Sequence, residues 1–129
     1  MALIAIIDDD PDIVETVETI LESKGYDVIS ARNAADGEKI VVKNSPDLVI
    51  LDVMMEEPDD GFFLAQKLRR MNFKRPIVLL SSVSKTIGFD YEKSEIVPVD
   101  MFLEKPISPE KLLSAVKEVL EKGGENDDN

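Results

Sequence analysis

Asp8, Asp9, Asp52, Ser81 and Lys105 stand where short apolar runs end: LIAII, LVIL, IVLL and MFLE. Three carboxylates, a hydroxyl and an ammonium are the right groups for handling phosphate with a hard cation. Carboxylates held close together raise one another's pKa, and a cation relieves that repulsion. An oxygen-only donor set suits Mg²⁺, which takes few carboxylates alongside water and a phosphoryl oxygen. A lysine suits the phosphoryl group as a point charge. The combination points to Mg²⁺-assisted phosphate handling. The chain has no His and no Cys. That excludes a His-ligated or thiolate metal site, a disulfide and a Ser-His-Asp triad.

These five residues lie far apart in sequence, so the fold must gather them. Residues 3–7 form a short, continuously apolar run, as expected of a strand covered on both faces. Asp10 then reads as a helix N-cap with Pro11 at the first helical position. Ile13, Val17, Ile20 and Leu21 repeat at helical spacing, and Gly25 is the stop. Residues 26–31 alternate, as on a strand near a sheet edge. A helix is expected over 33–44, capped by Asn33 and weakened by Gly37. Strands follow at 47–51, 76–80 and 100–104, with a helix over 61–72. Ser108-Pro109 opens the last helix, which carries Leu112, Leu113, Val116, Val119 and Leu120 and is expected to stop at Gly123. Over residues 83–99 the periodicity is weak and Gly88 and Pro98 intervene, so a fourth helix there is expected to be short or irregular.

Strands alternating with helices define an α/β fold: a doubly wound, five-stranded parallel sheet with helices on both faces. The flavodoxin-like strand order 2-1-3-4-5 is expected, which makes strands one and three neighbours. Ligands of such sheets bind beyond the carboxyl ends of the strands, at the switch in strand order. The acidic pair, Asp52, Ser81 and Lys105 all belong to that end.

At 129 residues, 43% hydrophobic and 33% charged, the chain suits one globular domain. The expected division is a domain over 1–122 and a flexible acidic tail over 123–129. A net charge of −12 argues against nucleic acid or an anionic membrane as direct partner. No signal peptide or spanning segment is evident, so a cytoplasmic protein is expected.

The pieces IIDDDPDIV, LVILDVMM, DDGF, IVLLSS and FLEKPI, in this order, resemble the receiver domain of two-component response regulators, including the chemotaxis regulator, over residues 3–121. The order 2-1-3-4-5 is known for such domains, so it is not independent of the resemblance. The resemblance implies that Asp52 is the phosphoacceptor, a carboxylate nucleophile forming an acyl phosphate. It implies that Asp9 holds Mg²⁺ directly, Asp8 mainly through water, and the Met54 carbonyl as a backbone ligand. Ser81 matches the switch hydroxyl, Lys105 the phosphate-sensing lysine, and Phe102 the aromatic that changes rotamer. A cis Lys105-Pro106 peptide is implied as well. The implied donor is a sensor histidine kinase or a phosphotransfer protein. The output is an unknown downstream protein bound at the fourth helix, fifth strand and last helix. Being without an output domain, the chain reads as a stand-alone receiver or as a fragment of a larger regulator or hybrid kinase.

Three departures stand out. Glu56 replaces the usual proline after the phosphoacceptor, with one residue more in that loop; Glu56 and Glu57 could reach the cation or repel a donor. The 83–99 segment is atypical. Phe102 lacks the tyrosine hydroxyl common at that position. Two other functions remain open. One is a haloacid-dehalogenase-type phosphatase using Asp8-x-Asp10 with Ser81 and Lys105. The other is a receiver-like binding module that is no longer phosphorylated.

Overall fold

The computed structural model describes residues 2–55, 60–81 and 99–127, with side chains as far as residue 122. Its strands are β1 (Leu3–Ile7), β2 (Asp27–Ala31), β3 (Leu48–Asp52), β4 (Ile77–Ser81) and β5 (Met101–Glu104). Its helices are α1 (Pro11–Glu22), α2 (Ala34–Asn44), α3 (Asp60–Arg70) and α4 (Pro109–Asp127). The sheet runs β2-β1-β3-β4-β5, and every pairing is parallel. The expected fold class and strand order are therefore observed. The expected irregular helix lies outside the described residues, as do Glu56, Glu57 and Ser82.

The alternating side chains of a strand face opposite layers, and the core divides accordingly. Ile4, Ile6, Leu48 and Ile50 pack with Val17 and Leu21 of α1 and Leu112 and Val116 of α4. Ala5, Ile7, Val49 and Leu51 pack with Val41 of α2 and Phe62, Ala65 and Leu68 of α3. Such two-sided cover explains why β1, β3 and β4 are apolar up to the Asp52 and Ser81 that end β3 and β4, whereas the edge strands β2 and β5 are partly exposed.

Local signals set the helix starts. The Asp10 carboxylate accepts from Asp12 N at 2.9 Å and Pro11 opens α1. Asn33 Oδ1 accepts from Asp36 N at 2.8 Å. Gly37 does not break α2, because the helix needs it: a Cβ there would stand 2.8 Å from Ile7 Cδ1. The missing side chain lets α2 lie against the central strand. At the other end of the chain, α4 does not stop at Gly123 but continues to Asp127. An interior glycine costs a helix only about 1 kcal/mol, and Gly123 stops one only where the chain turns left-handed. Gly25 does make such a turn, at φ 87.

Candidate functional site

Neighbouring strands set the site. Ile7 of β1 is in register with Leu51 of β3, so the next residues, Asp8 and Asp52, emerge side by side. Both belong to the buried set: Asp8 is 0% exposed and Asp52 5%. Lys105, just beyond β5, closes the group. Its Nζ lies 3.1 Å from Asp8 Oδ2 and 3.2 Å from Asp52 Oδ1. Its backbone N–H donates to the Ser81 carbonyl at 2.8 Å, tying the ends of β4 and β5 together. Ser81 is buried and forms the last residue of β4. The Lys105-Pro106 peptide is cis, as the resemblance implied.

The electrostatics follow from burial and company. Burial first, and the Asp8 carboxylate second, push the Asp52 carboxyl up from 3.8 to about 6, against the opposing pull of Lys105. Burial works against the Lys105 ammonium, yet Asp8 and Asp52 outweigh it and raise its pKa above 10.5. The lysine thus does part of what the sequence assigned to a cation: it relieves the repulsion between the buried carboxylates.

It does not complete that task. Asp8 Oδ1 accepts from Asp10 N at 2.9 Å, but Asp8 Oδ2 is buried without a hydrogen bond and meets Lys105 only at ion-pair distance. A buried carboxylate oxygen that lacks a hydrogen bond is costly. Carboxylate oxygens of Asp8, Asp9 and Asp52 lie within 4.8 Å of one another, with Asp9 exposed toward solvent. This oxygen-only set, with one atom lacking a hydrogen bond, fits a hard divalent cation.

The remaining residues divide. Met54 follows at the same strand end, its N–H 3.4 Å from Asp52 Oδ1. Phe102 stands on β5 in register with Leu79, half-buried against the α2–α3 layer. Asp10 is not part of the cluster, since its carboxylate caps α1. That removes the second acid of an Asp8-x-Asp10 phosphatase pair. Asp8 itself is fully buried and ion-paired, a poor position for a nucleophile.

Two positioning features have no chemical side chain to announce them. A Cβ at Gly61 would collide with the Asp52 carbonyl oxygen and stand 2.7 Å from Val53 Cα. The Gly61 N–H donates to the Val53 carbonyl at 2.9 Å. Gly61 thus seats the start of α3 directly on the strand end bearing Asp52. Its Asp-Gly context was the one available signal. Farther off, Asp100 Oδ2 accepts from Ile77 N at 2.8 Å and Arg69 Nη2 at 3.0 Å, anchoring the start of β4.

Comparison with known proteins agrees with this picture. The family model of the response regulator receiver domain matches residues 4–117. The DNA-binding dual master transcriptional regulator RpaA of Synechocystis is 36% identical over 126 residues, covering 93% of this chain and 49% of that protein. Protein PilG of Pseudomonas aeruginosa is 36% identical over 115 residues, covering 88% of this chain and 84% of that one. A CheY-like receiver domain protein of Methanospirillum hungatei JF-1 shares the fold, with a TM-score of 0.84, 24% identity and 98% coverage of both chains. The fold and site define a doubly wound domain with an acidic cluster and a lysine at the carboxyl ends of its strands. The chain belongs to the response regulator receiver domain family, the signalling switches of two-component systems. It spans about half the length of several curated relatives, RpaA and the Bacillus subtilis regulator PhoP among them. Among the described residues, no helix is long and apolar enough to cross a membrane.

Proposed function

We propose that this receiver domain accepts a phosphoryl group on Asp52 from the phosphohistidine of a sensor histidine kinase or phosphotransfer protein, and so changes its preference for a downstream protein. The observation that carries this reading is the Lys105 ammonium held between the buried Asp8 and Asp52 carboxylates. The chain has no histidine of its own, so the donor is another molecule.

In the reaction an Asp52 carboxylate oxygen attacks phosphorus. The new P–O bond forms as the donor's P–N bond breaks, and the donor imidazole leaves with the electron pair and takes up a proton. With a pKa near 6, Asp52 is largely ionised at neutral pH and ready to attack. Lys105 turns from the free carboxylate toward the phosphoryl oxygens. The Ser81 hydroxyl donates to another of them, and Phe102 shifts in response, carrying the change to the surface around β5. Asp8, Asp9, Asp52 and the Met54 carbonyl would hold Mg²⁺, which when bound neutralises charge on the transferring group. Charge change at one residue biasing a two-state element is the usual logic of such switches. The chain catalyses only its own phosphorylation and dephosphorylation.

Acetyl phosphate with Mg²⁺ tests the reading. Intact mass should rise by one phosphoryl group, and Asp52→Asn should abolish the gain. Unchanged labelling of that variant would remove Asp52 from the role. Ester hydrolysis dependent on Asp8 would favour the phosphatase, and loss of both labelling and Mg²⁺ affinity in the wild-type chain would favour the binding module.

A further inference from the structure

We infer that the far ends of α2 and α3 form a docking groove for an acidic amphipathic segment of a partner protein. Both helices start near the carboxyl ends of the strands and run back across the sheet. Their C-terminal ends therefore lie opposite the Asp52 site, and the inference does not rest on phosphorylation. Each helix is followed by a non-glycine residue in the left-handed region, Ser45 at φ 47 and Asn72 at φ 68. These turns lead the chain away and leave a groove of about 270 Å³ lined by Val41, Val42, Leu68, Met71 and Phe73. Val42 is 58% and Met71 42% exposed at its mouth. The volume falls below the roughly 300–1,000 Å³ of small-molecule pockets. It suits instead one or two apolar side chains of a segment laid across it, as in helix-in-groove recognition.

The charge around the groove selects the partner. Residues 61–75 hold five of the chain's 15 Lys and Arg and none of its 27 Asp and Glu. Arg70 and Lys74 are exposed and have no ion pair among the described residues. Lys43, exposed in the last turn of α2, adds a third charge beside Val42. Arg69 works differently. It donates to the Phe73 and Arg75 carbonyls at 2.8 Å each and lies 6.0 Å over the Phe73 ring, fixing the groove wall. A basic patch on a chain of net charge −12 discriminates by ligand size. Screening falls off over about 8 Å at physiological salt, so a short acidic segment feels chiefly the patch. Duplex DNA or an anionic membrane meets the whole acidic molecule and is repelled.

The probe is a synthetic amphipathic peptide of about four helical turns, with leucines on one face, aspartates and glutamates on the other and a fluorophore at one end. Anisotropy titration of the full chain should give saturable binding that weakens with salt. Arg70→Glu with Lys74→Glu, both at exposed positions, should weaken it about tenfold or more, and Val42→Asp should do likewise. Amide shift changes in the ¹⁵N-labelled chain should concentrate at residues 41–45 and 68–74. Asp52→Asn should bind the peptide as the wild type does. Equal binding of a sequence-scrambled peptide of the same charge overturns the proposal, as do shift changes centred elsewhere. Self-association by sedimentation that is lost in Val42→Asp makes the groove's occupant a second copy and overturns it. So does tighter binding to 1:1 phosphatidylglycerol–phosphatidylcholine vesicles than to the peptide.

Discussion

Lys105 Nζ stands 3.2 Å from Asp52 Oδ1, within ion-pair reach of the carboxylate proposed to accept the phosphoryl group. Under the proposed function the pair is preorganised: the ammonium is already in place before charge would appear on phosphorus. Removing the lysine leaves Asp8 Oδ2, which has no hydrogen bond, without its ion-pair partner. Lys105→Met should lower stability by about 2 kcal/mol at pH 8, with solvent screening allowed for. The loss should shrink at pH 5, where the Asp52 carboxyl, with a pKa of about 6, takes up a proton instead. Urea melts at the two pH values check this, and an equal loss at both would mean that packing, not charge, is what the lysine supplies.

The raised pKa of Asp52 has a stability consequence with a definite sign. Its folded value, about 6, exceeds the ordinary 3.8, so the folded chain binds more protons between those values. Stability from this group therefore falls as pH rises from about 4 to 6, and the deficit persists above that. Asp52→Asn keeps the shape and removes the buried charge. Without Mg²⁺ it should raise stability at pH 7.5 by about 1 kcal/mol, or about 4 °C in Tm, and the gain should vanish near pH 4. A destabilised variant at pH 7.5 would show that the attraction to Lys105 outweighs burial.

The sequence disclosed the fold's logic through strand character. Three fully apolar strands, at residues 3–7, 48–51 and 77–80, can only be interior to a sheet covered on both faces, and polar residues at their ends can only gather at one edge. Asp8, Asp52 and Lys105 meet there at ion-pair distance. That Lys105 pairs with the carboxylates in the unphosphorylated chain was not legible, since spacing along strands says nothing about where a long side chain comes to rest. Gly37 read as a weakness of α2 because propensity concerns the helix alone, whereas its use lies in Ile7 across the interface. Gly123 misled for a related reason: the stop signal depends on a left-handed turn that composition does not specify.

Asp9 is the accessible member of the acidic cluster, and Asp10 next to it serves α1. The two neighbours should therefore separate cleanly. Mg²⁺ at a hundredfold excess over Kd should stabilise the wild type by about 2.7 kcal/mol. Asp9→Ala should melt normally without Mg²⁺ and lose most of that gain. Asp10→Ala should cost about 1 kcal/mol through the lost cap and keep the gain in full. Thermal melts with and without Mg²⁺ distinguish them, and an Asp10→Ala chain blind to Mg²⁺ would place that carboxylate in the metal site.

Mg²⁺ affinity should also depend on pH, because carboxylates bind a cation only when ionised. Asp52, with a pKa of about 6, titrates close to neutrality. Affinity should be constant above pH 7 and fall toward pH 5, by up to about tenfold per unit for one proton displaced. Calorimetric titration in buffers of differing ionisation enthalpy counts that proton. In Asp52→Asn the residual affinity, weaker throughout, should lose this pH dependence, and its persistence would assign the proton to another carboxylate.

The two close-packed glycines offer a final contrast, because what they touch differs in its freedom to move. At Gly37 the added Cβ would press on the Ile7 side chain, 2.8 Å from Cδ1, which can yield by changing rotamer. The helix propensity gained on replacing glycine by alanine, about 1 kcal/mol, offsets part of the overpacking. Gly37→Ala should therefore lie within about 1 kcal/mol of the wild type. At Gly61 the Cβ would meet backbone, the Asp52 carbonyl and Val53 Cα, and neither can yield without moving the end of β3 or the start of α3. Gly61→Ala should cost about 3 kcal/mol. It should also slow phosphorylation by acetyl phosphate more than Gly37→Ala does, because it displaces the strand end that carries Asp52. Chemical melts and labelling rates on the two variants test the contrast, and a Gly61→Ala chain as stable and as readily labelled as the wild type would show that α3 is not seated on that strand end.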